Sequence, residues 1–155
     1  MMIKRLMLSA IMLIASAGTQ AVEYDIGTLP TDYTGFGPYT VSGSFLDKIN
    51  FSLADPGSGG FVVGALNITL AGTPIFNISG LSLSLFDNAN TILGSGLDFT
   101  ISSLNGGNYY LQVTGTGSGL NGGGIYAGGI QVSPVPEQNV WILLMSGLAM
   151  ISFMA

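Results

Sequence analysis

The feature that most constrains this chain is a period of two. In Leu81-Ser82-Leu83-Ser84-Leu85 apolar and small polar residues strictly alternate. Successive side chains of an extended strand point to opposite faces, so one face of such a run is apolar and the other wet. A helix cannot segregate that pattern. Related runs recur at Ser44 to Leu53 (around Phe45, Ile49, Phe51 and Leu53), Phe61 to Leu70, Ile75 to Phe86, Leu97 to Ile101, Asn108 to Thr114 and Ile125 to Val132. Between them lie turn signals such as Asp55-Pro56-Gly57-Ser58-Gly59-Gly60, Ala71-Gly72-Thr73-Pro74 and Asp87-Asn88-Ala89-Asn90. The rhythm predicts an all-β domain, a single Gly-rich β-sandwich of jelly-roll-like form with about six or seven strands. Val22 to Tyr39, punctuated by Pro30, Gly35, Gly37 and Pro38, reads as an irregular lead-in holding one short strand.

The sequence has 24 glycines in 155 residues, about twice the ordinary ~7 %. They cluster at run ends, as in Asn105-Gly106-Gly107-Asn108 and Gly115 to Gly124, where hairpins need positive φ. Gly128-Gly129, inside the last run, suggests a bulge or a weak edge. Cysteine and histidine are both absent. Disulfides, Ser-His-Asp and Cys-His catalysis and the usual zinc ligand sets are therefore excluded.

The two ends differ from the middle. Lys4 and Arg5 precede an apolar stretch over Leu6 to Ile14 and then small residues, the layout of a secretory signal over residues 1–21. Cleavage fits after Ala17, at Ala15-Ser16-Ala17, or after Ala21, at Thr19-Gln20-Ala21. The exported domain, 22–133, keeps only Lys48 as a base against Glu23, Asp25, Asp32, Asp47, Asp55, Asp87 and Asp98. Such a surface cannot neutralise a phosphate backbone, so no nucleic-acid partner is expected. From Val140 to Ala155 there is no charge. That tail predicts a membrane-seeking transmembrane helix of about 24 Å, a little short of the ~30 Å hydrocarbon core, whose strong inserters favour insertion by on the order of 2 to 4 kcal/mol.

Val135-Pro136-Glu137, Trp141 four places on, an apolar run interrupted by Gly147 and a terminal Phe153 resemble the PEP-CTERM sorting signal. The resemblance covers 134–155. It implies a transient membrane anchor recognised by an exosortase, a membrane-embedded transpeptidase-like enzyme of polysaccharide-producing bacteria. Gln138 stands where a second proline is usual, and no arginines follow the apolar run. Phe45-Leu46-Asp47-Lys48-Ile49, with Gly107 to Gly115 and Gly124 to Gly128, is similar to the FxDxF group of such proteins, Ile49 replacing its second aromatic. This likeness implies a cell-envelope or extracellular-matrix address and brings no catalytic residue with it.

Among candidate sites, Asp47 shares a strand face with Phe45 and Ile49 and so needs hydrogen-bond donors or a cation such as Ca²⁺, the donors being favoured. Asp87 and Asn90 carry oxygens at loop spacing but lack the further carboxylates of a calcium loop, so a plain Asx-turn is favoured. Glycoside hydrolysis needs two carboxyls roughly 5 to 10 Å apart. Nothing in the spacing brings two together, so no enzyme and no cofactor are expected. Tyr24, Tyr33, Phe36, Tyr39, Tyr109, Tyr110 and Tyr126 supply aromatics for a sugar-binding face, with Tyr109 and Tyr110 on opposite faces. The leading expectation is an exported, non-enzymatic surface or matrix protein sorted by exosortase through Val135, Pro136, Glu137, Trp141 and Gly147. The alternative is a polysaccharide- or Ca²⁺-binding β-sandwich module at the cell surface.

Overall fold

The computed structural model describes residues 19–134 and 138–154. Most of the expected signal peptide, and Val135, Pro136 and Glu137 of the expected sorting signal, lie outside the described residues. Eleven strands and one helix follow in order: β1 Glu23–Leu29, β2 Tyr33–Val41, β3 Gly43–Leu53, β4 Gly57–Leu66, β5 Ile68–Leu70, β6 Thr73–Phe76, β7 Ile78–Asp87, β8 Ile92–Gly96, β9 Asp98–Leu104, β10 Gly107–Gly117, β11 Gly124–Pro134 and α1 Gln138–Met154.

One sheet has the order β1-β3-β10-β7-β8, the other β2-β11-β4-β9, and β5-β6 is a separate hairpin. From β2 onward the chain alternates between the two large sheets, except for the hairpin β7–β8 and the β5–β6 insertion. This is the connectivity of a jelly roll, two four-stranded antiparallel sheets face to face. β1 is an addition to it, pairing in parallel with the outer edge of β3. The all-β sandwich read from the period of two is therefore the observed fold.

Alternation builds the core directly. Phe45, Asp47, Ile49, Phe51 and Leu53 of β3 all point inward, as do Tyr109, Leu111 and Val113 of β10 and Leu83 and Leu85 of β7. Phe61 and Val63 of β4 and Tyr126, Ile130 and Val132 of β11 meet them from the other sheet. Rings interlock across the gap: Phe45 lies 5.4 Å from Tyr126, and Phe51 lies 6.3 Å from Phe61. Tyr24 of β1 stacks on Tyr39 of β2 at 3.8 Å, closing one side of the sandwich.

The strand count exceeds the expected six or seven for identifiable reasons. The lead-in over Val22 to Tyr39 contributes two strands. Pro38 is tolerated because β2 is an edge strand, and Gly37-Pro38 form a bulge opposite the single residue Ala127. Phe61 to Leu70 is split by Asn67 into β4 and β5, Ile75 to Phe86 by Asn77 into β6 and β7, and β8 follows the Asp87 turn. The glycines of Gly57-Ser58-Gly59-Gly60 belong to β4 and not to a turn. A Cβ on Gly59 would strike the Phe61 ring and Leu104 Cδ1, so glycine here makes room for large neighbours. Gly128-Gly129 is likewise no weak edge: β11 is central, and the Phe36 and Tyr33 rings of β2 lie where side chains would stand. Small residues in one strand accommodate large ones in the next.

The expected spanning helix needs correction too. α1 has 17 residues, about 25 Å at ~1.5 Å per residue against a ~30 Å core. No helix among the described residues is long and apolar enough to cross a membrane. Ile142, Leu143, Leu144, Met145, Leu148, Met150 and Ile151 are all exposed, so this face is not buried against the sandwich.

Leu111 is fully buried on the central strand β10. Leu111→Ala is expected to lower unfolding free energy by about 2 to 5 kcal/mol, read as a fall in the urea midpoint. Leu120→Ala, at an exposed loop position, should change it by no more than about 0.5 kcal/mol.

Candidate functional site

Asp47 is the single buried charged residue of the described chain, at 1 % exposure. Alternation along β3 forces it inward, and two donors meet it there. The Tyr126 hydroxyl donates to Oδ2 at 2.6 Å from the opposite sheet, and the Val22 N–H donates to Oδ1 at 3.2 Å. Both oxygens thus accept a hydrogen bond, as a buried carboxylate requires. Tyr24 and Tyr39 complete the cluster, Tyr39 lying 5.5 Å from Tyr126. Burial, then the hydrogen bond to Asp47, then its charge hold the Tyr126 phenol far above the ordinary tyrosine range. Burial, followed by the charge of Asp47, raises Tyr24 as well. These phenols stay protonated as donors and π surfaces, and the arrangement is structural.

The turn residues are also committed locally. Asp87 Oδ1 accepts from Ala89 N at 2.9 Å and Thr91 N at 2.8 Å, and Asn90, at φ 61°, accepts the Tyr110 hydroxyl at 3.0 Å. That is an Asx-closed turn with a left-handed Asn. Asp47 and Asp87 are not brought together, and among the described residues no three Asp or Glu groups converge as a metal site would need. Trp141 and Gly147 both fall within α1.

A site that sequence reasoning missed lies on the outer face of the five-stranded sheet. There β1, β3 and β10 border an open groove of about 340 Å³, lined by Asp25, Thr28, Asn50, Ser52, Asn108 and Tyr110 among others. Tyr109 is core and Tyr110 faces out, as the doublet implied. The outward ring is already engaged: Phe86 stacks parallel at 4.9 Å and the Lys48 ammonium sits 5.0 Å from its centroid. Asn50 Nδ2 donates to Glu23 Oε1 at 2.7 Å, and the Thr28 and Ser52 hydroxyls are 2.8 Å apart. The groove offers amides, hydroxyls and the single carboxylate of Asp25. Its contributors are scattered because β1 joins β3 in parallel, a pairing with no local sequence signal.

Fold and site define an all-β jelly-roll domain with a polar groove on the outer face of its five-stranded sheet. No family model matches the chain, and no curated protein matches it. Among solved structures it is similar to a periplasmic lysozyme inhibitor of g-type lysozyme from Aeromonas hydrophila, with TM-score 0.50 and 9 % identity over 75 % of this chain and 100 % of that one. It is also similar to the pre-peptidase C-terminal domain of a collagenase from Bacillus anthracis, with TM-score 0.42 and 18 % identity over 74 % of this chain and 97 % of that one. At such identities the likeness speaks for the fold alone.

The raised phenols make stability pH-dependent. Folded Tyr126 and Tyr24 hold their protons more tightly than unfolded tyrosines, whose pKa is about 10. Their contribution is therefore complete below about pH 10 and is lost as pH rises beyond it. Urea midpoints measured across that range should fall on the alkaline side. Tyr126→Phe should lower stability at neutral pH by about 1 to 3 kcal/mol, through loss of the Asp47 donor, and should flatten the alkaline decline.

Proposed function

We propose that the chain is an exported, non-enzymatic surface or matrix protein, in which the jelly roll is the cargo and the C-terminal segment the address. What supports this reading is the contrast between the two parts. The sandwich buries its apolar side chains in one core, whereas α1 carries no charged residue and leaves the apolar side chains from Ile142 to Ile151 exposed. An exposed apolar surface of that kind is one that a partner must cover. With Val135-Pro136-Glu137 before it and Trp141 and Gly147 within it, the segment resembles a signal that an exosortase would read and remove at the inner membrane, releasing the domain to the envelope or matrix. The absence of His and Cys and the structural commitment of Asp47 and Asp87 support a non-catalytic role.

In a host that makes an exosortase, the intact chain should yield a domain of reduced mass outside the inner membrane. Glu137→Ala should instead accumulate in the inner-membrane fraction at full C-terminal length, read by intact mass of the fractions. If a chain ending at Ser133 reaches the same place in the same amount and form as the intact one, the addressing role of the tail is wrong.

A second reading, favoured by the groove beside Tyr110, is that the domain binds neutral polysaccharide. Amide, hydroxyl and carboxylate groups on a wet sheet face are the partners a pyranose needs, and the acidic surface disfavours anionic glycans. Asn50→Ala combined with Asn108→Ala should abolish retention on a neutral-glycan array while leaving the unfolding free energy within about 1 kcal/mol. Equal retention by the double variant would dismiss this groove as the binding site.

A further inference from the structure

The carboxylate of Asp47 sits inside an apolar sandwich with two neutral donors and no cation. Lys48, the one basic side chain among the described residues, lies on the opposite face of β3, over Tyr110. An unpaired buried charge is costly, and the cost falls steeply when a cation is supplied with good geometry. One atom is placed to become that cation. The Val22 nitrogen is 3.2 Å from Asp47 Oδ1.

The local backbone explains how it comes to be there. Parallel pairing with β3 starts at Gln20, whose N–H donates to Ser44 O at 3.0 Å and whose carbonyl accepts from Leu46 N at 2.8 Å. It resumes at Val22, whose carbonyl accepts from Lys48 N at 2.8 Å. The Val22 N–H, however, turns out of the ladder to the Asp47 side chain. Ala21, immediately before it, is exposed, and Thr19 and Ala21 are the small residues of one of the two cleavage positions read from the sequence.

We propose that signal removal occurs after Ala21 and that the freed amine of Val22 becomes the permanent ion-pair partner of Asp47. A signal-removing hydrolase adds water across the Ala21–Val22 peptide bond. Ala21 leaves as the carboxylate of the signal fragment, and the Val22 nitrogen takes up a proton to become an ammonium, the charged form of an α-amine at neutral pH. Its carbonyl bond to Lys48 N holds it in register. Cleavage sacrifices the two exposed Gln20 bonds and gains a charge-assisted hydrogen bond to a carboxylate that also ties the two sheets together through Tyr126. Processing thereby locks β1, the strand outside the jelly roll, onto β3. Cleavage after Ala17 would instead leave Val22 an amide and Asp47 without a cation.

The inference rests on the export reading, and one preparation separates the two. The full-length chain, with its own signal, is expressed in a secreting bacterium, and the exported and cell-retained fractions are analysed by N-terminal sequencing and intact mass. The exported protein is then treated at neutral pH with an amine-acylating reagent, folded and in denaturant. The expected result is a chain beginning at Val22 whose α-amine acylates about tenfold or more slowly when folded than when unfolded, since the Asp47 carboxylate holds the part-exposed amine as its unreactive ammonium. Asp47→Asn should remove that protection, and Leu120→Ala should keep it. An exported chain beginning at Gly18, or a Val22 amine as reactive folded as unfolded, overturns the proposal while leaving export intact. A chain that stays in the cell with Met1 attached overturns export itself, and this proposal with it.

Discussion

A carboxylate sealed in an apolar interior must be met by donors, and in this chain they converge on it from two directions. Asp47 belongs to β3, Tyr126 to β11 in the facing sheet, and Val22 to the segment leading into β1. One side chain therefore ties together both layers of the sandwich and the strand added to its edge. A hydrogen bond between oxygens at 2.6 Å, sealed between two sheets, is among the stronger kinds available to a protein. It tolerates little sliding, so the relative register of the two sheets at this end is specified by chemistry as well as by packing.

Around that tie the aromatic residues are arranged as a chain across the gap. Tyr24 stacks on Tyr39, Tyr39 leans on Tyr126 and Tyr126 lies parallel to Phe45. At the other end Phe51 connects Tyr109 with Phe61, which stacks on Phe99. With no disulfide to restrain the unfolded chain, these large rings supply much of the apolar burial of a modest domain. Glycines such as Gly59 and Gly128 are the counterpart of the rings: each is small because a ring occupies the space beside it.

The same alternation that seals the core leaves a polar outer face, and the shape of that face is a tertiary product. Asp25, Asn50 and Asn108 come from β1, β3 and β10, joined by one parallel and one antiparallel pairing. The tail obeys another rule. Its residues are apolar all round, so no single stripe directs them onto the sheets, and those from Ile142 to Ile151 stay exposed.

How much of this was legible beforehand depends on the range of the interaction concerned. The period of two in Leu81 to Leu85 and in Ser44 to Leu53 reports which residues face inward, because pleating is a local property of the backbone. It determined the all-β class, the inward aim of Asp47 and the opposite aims of Tyr109 and Tyr110. Composition determined the absence of thiol and imidazole chemistry, and the charge-free tail its apolar character. Strand number was less legible, since Asn67 and Asn77 divide runs that look continuous and Pro38 and the Gly57 to Gly60 cluster look like breaks until their neighbours are known. The partner of Asp47, the place of β1, the reason for Gly128-Gly129 and the groove were decided only by tertiary structure. Each depends on residues far apart in the chain, 79 positions in the case of Asp47 and Tyr126, and a pairing over that distance leaves no periodic mark on either segment.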